Sequence, residues 1–96
     1  MDRYVIEKRQ GYYKGVCYYF LVDTGLVEVV CISDREYLID KILEAVKDDE
    51  AFRRALKKNS AGKGDLLYFC HEPTWRDKQQ VISLTADVLL PYYHHF

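Results

Sequence analysis

The chain of 96 residues contains only two Pro and five Gly. That scarcity excludes a collagen-like or low-complexity chain and leaves few places where regular structure is forced to break. Its three Cys (Cys17, Cys31 and Cys70) are odd in number and have no CxxC spacing, so they form neither a disulfide framework nor a recognisable zinc motif. Each sits in or beside an apolar run, where a free thiol behaves as a small hydrophobe; reduced cysteines in a cytoplasmic protein are the expectation. Neither sign of charge prevails. Fourteen Lys and Arg against fifteen Asp and Glu give a formal net charge of −1, which argues against a general electrostatic grip on nucleic acid or an anionic membrane. No apolar run approaches membrane-spanning length. The opening Asp2-Arg3 leads into a strand-like pattern, not into the apolar core of a secretory signal. His94-His95-Phe96 is too short for an affinity tag and is read as native. Internal repeats and nucleotide, metal or cofactor motifs are also lacking.

What is present is globular in composition: 49% hydrophobic and 30% charged residues, the content of one compact domain over residues 1–96. The strongest pattern is Tyr12–Ile32, two strand-like runs joined by Asp23-Thr24-Gly25. In the first, Val16, Tyr18, Phe20 and Val22 alternate with Cys17, Tyr19 and Leu21. In the second, Val27, Val29 and Cys31 oppose Leu26, Val30 and Ile32, with Glu28 the only polar interruption. A sheet with one wet face shows a polar residue at every second position; this one is apolar on both. Something must cover both faces, and in so short a chain a partner or second copy is one way to do it.

With Tyr4–Lys8 as a first strand, the short links predict an antiparallel meander. Ser33 and Glu36 have capping-box spacing. After them Leu38, Ile39, Ile42, Leu43, Ala45 and Val46 recur at helical spacing, with Asp40, Lys41, Glu44 and Lys47 outside. A second helix starts at Asp48 or Asp49, its acids first and its bases last, as the helix dipole favours. Asp49/Arg53 and Glu50/Arg54 have the favourable i,i+4 order, and Phe52, Ala55 and Leu56 are expected to face inward. Asn59–Gly64 ends it. Leu66–Cys70 reads as a short buried strand and His71–Trp75 as a loop. The last segment favours a helix capped by Asp77, with Val81, Leu84 and Val88 joined by Ile82, Ala86 and Leu89 on one face and Gln80, Ser83 and Asp87 on the other. The alternative is a C-terminal β-hairpin in which Gln80–Thr85 pairs with Leu66–Cys70. The fold class is α+β: a three-stranded antiparallel meander, a helical pair, a short fourth strand and a C-terminal helix.

The chemistry-bearing residue types do not form a specific motif. Cys70-His71-Glu72 places a thiol beside a base, but neighbours on a strand point to opposite faces, so an enzyme built on Cys70 and His71 is the least favoured reading. No metal site or cofactor is expected; His71, Glu72, His94 and His95 would have to converge through tertiary folding to hold a metal. Gly62-Lys63-Gly64-Asp65 lacks the spacing of a phosphate loop. Lys8–Lys14 interleaves bases with rings, a mixture suited to stacking single-stranded bases and equally to protein contact. Nine Tyr supply large contact area with a polar tip. The preferred reading is a non-catalytic protein-binding module, an adaptor, regulator or inhibitor of a larger complex, for which small phage or mobile-element proteins offer an analogy. Its candidate contacts are Arg9, Tyr12, Tyr13 and Lys14 in the first hairpin, Arg54, Lys57 and Lys58 on the second helix, and Trp75, Tyr92 and Tyr93 near the C-terminus. The expected partner is a protein, with a homodimer as one form of it and no membrane. Single-stranded nucleic acid at the hairpin is the alternative.

Overall fold

A computed structural model describes residues 3–11, 15–60, 68–69 and 74–93, with backbone alone at 57–60 and 68. Strands β1 (Tyr4–Gln10), β2 (Cys17–Asp23) and β3 (Glu28–Ser33) form the expected antiparallel meander. Helices α1 (Glu36–Asp48) and α2 (Glu50–Ser60) follow, then β4 (Tyr68–Phe69), α3 (Trp75–Leu89) and a 3-10 turn at Leu90–Tyr92. The result is an α+β fold with the elements in the predicted order. Gln80–Thr85 lies inside α3, so the C-terminal hairpin is not formed. β4 joins the edge of β3 in parallel. A parallel neighbour requires a long crossover rather than a tight turn, and α1 and α2 lie within it. Of the expected strand Leu66–Cys70, only Tyr68 and Phe69 are among the described residues.

Both sheet faces are covered by the chain's own helices. On one face Tyr4, Leu21, Val30 and Cys31 pack with Ile39, Ile42 and Val46 of α1 and Leu56 of α2. On the other, Tyr18, Phe20, Val22 and Ile32 pack with Val81 and Val88 of α3. The apolar sheet therefore supplies no need for a partner, which corrects the inference drawn from its two-sided pattern. The C-terminal helix is the element that covers the second face.

The alternation predicted for β3 breaks at one residue. Leu21 pairs with Cys31 and Val22 with Val29, leaving Val30 without an opposite number. This is a β-bulge, and beyond it the strand changes phase. Val30 and Cys31 consequently enter the same core, and Val29 joins Ile32 on the other side.

The helix starts also differ from expectation. Arg35, not Ser33, stands at the N-cap of α1, with no side-chain cap bond. Ser33 Oγ instead accepts from the Arg35 N–H and donates to the Phe69 carbonyl oxygen, tying the start of α1 to β4. Helix α3 opens on a true capping box. Thr74 Oγ1 accepts from the Asp77 N–H and the Asp77 carboxylate accepts from the Thr74 N–H, so Asp77 is the third helical residue and not the cap.

The two faces give a direct stability test. Phe20→Ala should cost about 3–5 kcal/mol and Ile39→Ala about 2–5 kcal/mol in denaturant titration. Leu43→Ala and Phe52→Ala should cost less than Ile39→Ala, because both side chains are only half-buried at the rim of the first core.

Candidate protein interface

Two polar arrangements anchor the helices to the sheet, and a third feature faces outward. The first anchor is Asp23, the last residue of β2, whose side chain is fully buried. Its Oδ1 accepts from the Gly25 and Leu26 N–H groups, closing the turn to β3. Arg3 donates to both carboxylate oxygens, through Nε at 3.1 Å and Nη2 at 3.0 Å. Arg53 of α2 reaches across from the helix layer and donates through Nη2 to Asp23 Oδ2 at 3.2 Å and to Glu28 Oε1. Burial alone would raise the Asp23 pKa; the bonds from Arg3, Leu26 and Arg53 outweigh it and hold the carboxyl below its ordinary value. Arg53 is 5% exposed, so it belongs to the core of the ion network and not to a solvated basic helix end paired with Asp49. Ala55, expected inside, is exposed in its place. The turn fixed by this network carries Val27 at φ 51°, a left-handed conformation that is costly for a β-branched residue.

The second anchor joins α3 and the turn after it to the other face. Tyr18 donates to Asp77 Oδ1 at 3.2 Å, and Tyr92 donates to Glu7 Oε1 at 2.6 Å. Burial and the Glu7 carboxylate push the Tyr92 hydroxyl up to about 12, so it remains a donor at neutral pH. Val81, Leu84 and Val88 pack inward as expected. Gln80 lies on that buried side as well, at 2% exposure, and its Oε1 and Nε2 have no hydrogen-bond partner among the described residues. A Cβ at Gly11 would lie 3.1 Å from Tyr18 Cε2 and 3.3 Å from Gln80 Nε2, so a side chain there would crowd both.

Ile82 and Ala86 do not share the inner face assigned to them. Both are exposed. At about 100° per residue, Trp75, Gln79, Ile82, Ala86 and Leu90 fall within an arc of roughly 80°, opposite Val81, Leu84 and Val88. Trp75 is 69%, Ile82 61% and Leu90 64% exposed, and Tyr93 just beyond is 45% exposed. Helix α3 is thus apolar on two opposite sides, one packed on the sheet and one facing solvent. Arg76, Lys78 and Asp87 flank the outer stripe, all of them exposed.

Of the candidate contact residues, Trp75 and Tyr93 stand at the two ends of this stripe. Tyr92 turns inward to Glu7 instead. Arg9 is half-buried and donates to Glu7 Oε2 and to the Lys8 carbonyl oxygen, while Lys8 lies over the Tyr19 ring at 5.8 Å. Arg54 is exposed on α2, away from α3 across the sheet. Tyr12, Tyr13 and Lys14, the side chains of Lys57 and Lys58, and the cluster Cys70, His71, Glu72, His94 and His95 lie outside the described residues. Sequence reasoning missed Asp23, Arg53, Ile82 and Leu90. Arg53 could have been found from its i,i+3 relation to Leu56. The Thr74/Asp77 spacing would have set the correct start for α3.

Among the described residues, no group of three or more His, Cys, Asp or Glu could hold a metal ion. No described helix is long and apolar enough to cross a membrane. Burial pushes the Cys31 thiol up to about 12, far from a thiolate nucleophile at neutral pH. No protein-family model matches the chain, and neither a curated protein nor a solved structure matches it significantly.

The Asp23 network makes a definite pH prediction. Because the folded carboxyl titrates below its unfolded value, its stabilisation is complete above the unfolded pKa and is lost as pH falls through the folded one. Urea unfolding should show stability declining below about pH 4. Asp23→Asn should flatten that decline and, by removing one of the two carboxylates that meet the buried Arg53, destabilise the fold at pH 7 by up to about 3–5 kcal/mol.

Proposed function

We propose that this chain is a non-catalytic protein-recognition module whose docking surface is the outer face of α3, and that it acts as a small adaptor, regulator or inhibitor within a larger assembly. The observation that carries the reading is the exposed stripe Trp75, Ile82 and Leu90 on a helix whose opposite side is already packed. Isolated exposed apolar residues are ordinary, but an aligned set rimmed by charge is what a protein interface requires. Trp is also the residue type most often responsible for a large share of interface energy.

The nucleic-acid alternative draws less support. Two cations of the first hairpin are engaged within the protein, Arg9 with Glu7 and Lys8 over Tyr19, which reduces the charge available to phosphate. Electrostatic docking through α2 is weakened in the same way, since Arg53 is withdrawn into the Asp23 network.

Affinity capture from cells of the native source, read by mass spectrometry, tests the proposal. Ile82→Glu should abolish retention of the partner, and Trp75→Ala should weaken it by at least about 1 kcal/mol. Arg54→Ala, an exposed charge on the far side, should change it by no more than about 0–1 kcal/mol. Retention that survives both α3 substitutions but fails on Tyr13→Ala would move the interface to the hairpin. Retention lost with rising salt would favour nucleic acid.

A further inference from the structure

We propose that the occupant of the outer face of α3 is the same helix of a second copy, laid antiparallel across a two-fold axis beside Ile82; this rests on the reading of that face as a protein interface. The stripe is self-complementary in register. When the axis passes beside Ile82, midway between positions 82 and 83, Trp75 of one copy comes level with Leu90 of the other, and Gln79 comes level with Ala86. Each large side chain thus meets a smaller one, at both ends alike, which is the condition for an isologous contact.

Charge selects the antiparallel arrangement. The exposed basic residues Arg76 and Lys78 lie in the first half of α3, and exposed Asp87 lies in the second. A parallel pair would set like against like. In the antiparallel pair Arg76 and Asp87 stand on the same flank of the stripe and nearly level, so each Arg76 faces the other copy's Asp87 on both sides of the axis. Among the described residues neither side chain takes part in an ion pair of the fold, where Arg3, Arg9, Arg35 and Arg53 hold the carboxylates of Asp23, Glu7, Asp34 and Glu28. Opposed helix dipoles favour the same direction. A contact confined to one helix of about 22 Å falls at the small end of specific interfaces, so the dimer is reversible and concentration-dependent.

Sedimentation velocity of the purified protein, from the low micromolar to the high micromolar range, is the test. The wild type should shift from monomer towards dimer. Ile82→Glu, which sets two like charges together at the axis, should weaken association by at least tenfold while leaving the circular dichroism spectrum and unfolding midpoint unchanged. Arg76→Asp and Asp87→Arg should each weaken self-association, and an equimolar mixture of the two should associate more strongly than either alone, because only the mixed pair matches opposite charges at both ends of the contact. A wild type that stays monomeric at the highest concentration overturns the inference. So does a dimer indifferent to Ile82→Glu, or a mixture no better than its components. If the wild type is monomeric but Ile82→Glu still loses a captured protein, the second copy is wrong and the α3 interface stands. If Ile82→Glu affects neither association nor capture, both fail.

Discussion

The buried carboxylate of Asp23 is the constraint from which the arrangement of strands and helical layer follows. A carboxylate out of water is stable only when its charge and lone pairs are met. Here the answering groups come from widely separated parts of the chain: Arg3 before β1, the Gly25 and Leu26 amides of the turn, and Arg53 on α2. Satisfying one side chain therefore closes the β2–β3 turn, holds the start of β1 beside it and sets α2 over the sheet. Glu28 shares Arg53, so the first residue of β3 is drawn into the same contact. Such a network is not strong evidence for net stability, because desolvation offsets much of the attraction. Its consequence is geometric: any displacement of α2 would strand a buried charge.

The other half of the architecture depends on shape rather than charge. The bulge at Val30 lets a short strand serve two cores, sending Val30 and Cys31 to the α1–α2 side and Val29 and Ile32 to the α3 side. Without the change of phase, Val29 and Val30 would each face the opposite layer. The sheet is then enclosed by helices on both sides, and its apolar content is consumed internally.

Enclosing the sheet shifts the question of partners to the helices. The inner side of α1 is spent on the core and its outer side is charged at Asp40, Lys41, Glu44 and Lys47, all exposed. Helix α3 is different: its inner side packs, its ends are held by the Tyr18–Asp77 and Tyr92–Glu7 bonds, and its outer side still presents Trp75, Ile82 and Leu90. A helix fixed at both ends is a rigid platform, so little ordering cost is added when its outer face is covered. That is the physical basis for proposing α3, ahead of the aromatic hairpin, as the docking surface.

Local regularities made much of the fold legible in the chain. Alternation identified the meander, the 3.6-residue period identified α1, and the ordered charges of Asp49–Lys58 marked α2. The need to cover both sheet faces was also readable, since it follows from side-chain direction alone. What covers them was not, because that depends on how α3 returns to the sheet, a long-range event with no local signature. The phase of α3 was misread for a related reason. Helical spacing permits either Ile82 or Gln80 to face inward, and propensity favours the apolar one; the Thr74/Asp77 cap and the docking of Tyr18 and Tyr92 decided for Gln80. Arg53 was legible as a base on a helix and not as a buried one, because burial of a charge depends on a carboxylate thirty residues away in sequence. Which segments are strands and which are helices follows from preferences that reside in each residue and its near neighbours. Which side of each helix is spent on the core, and hence which side faces solvent, is set by contacts between segments far apart in the chain and so has no local signature.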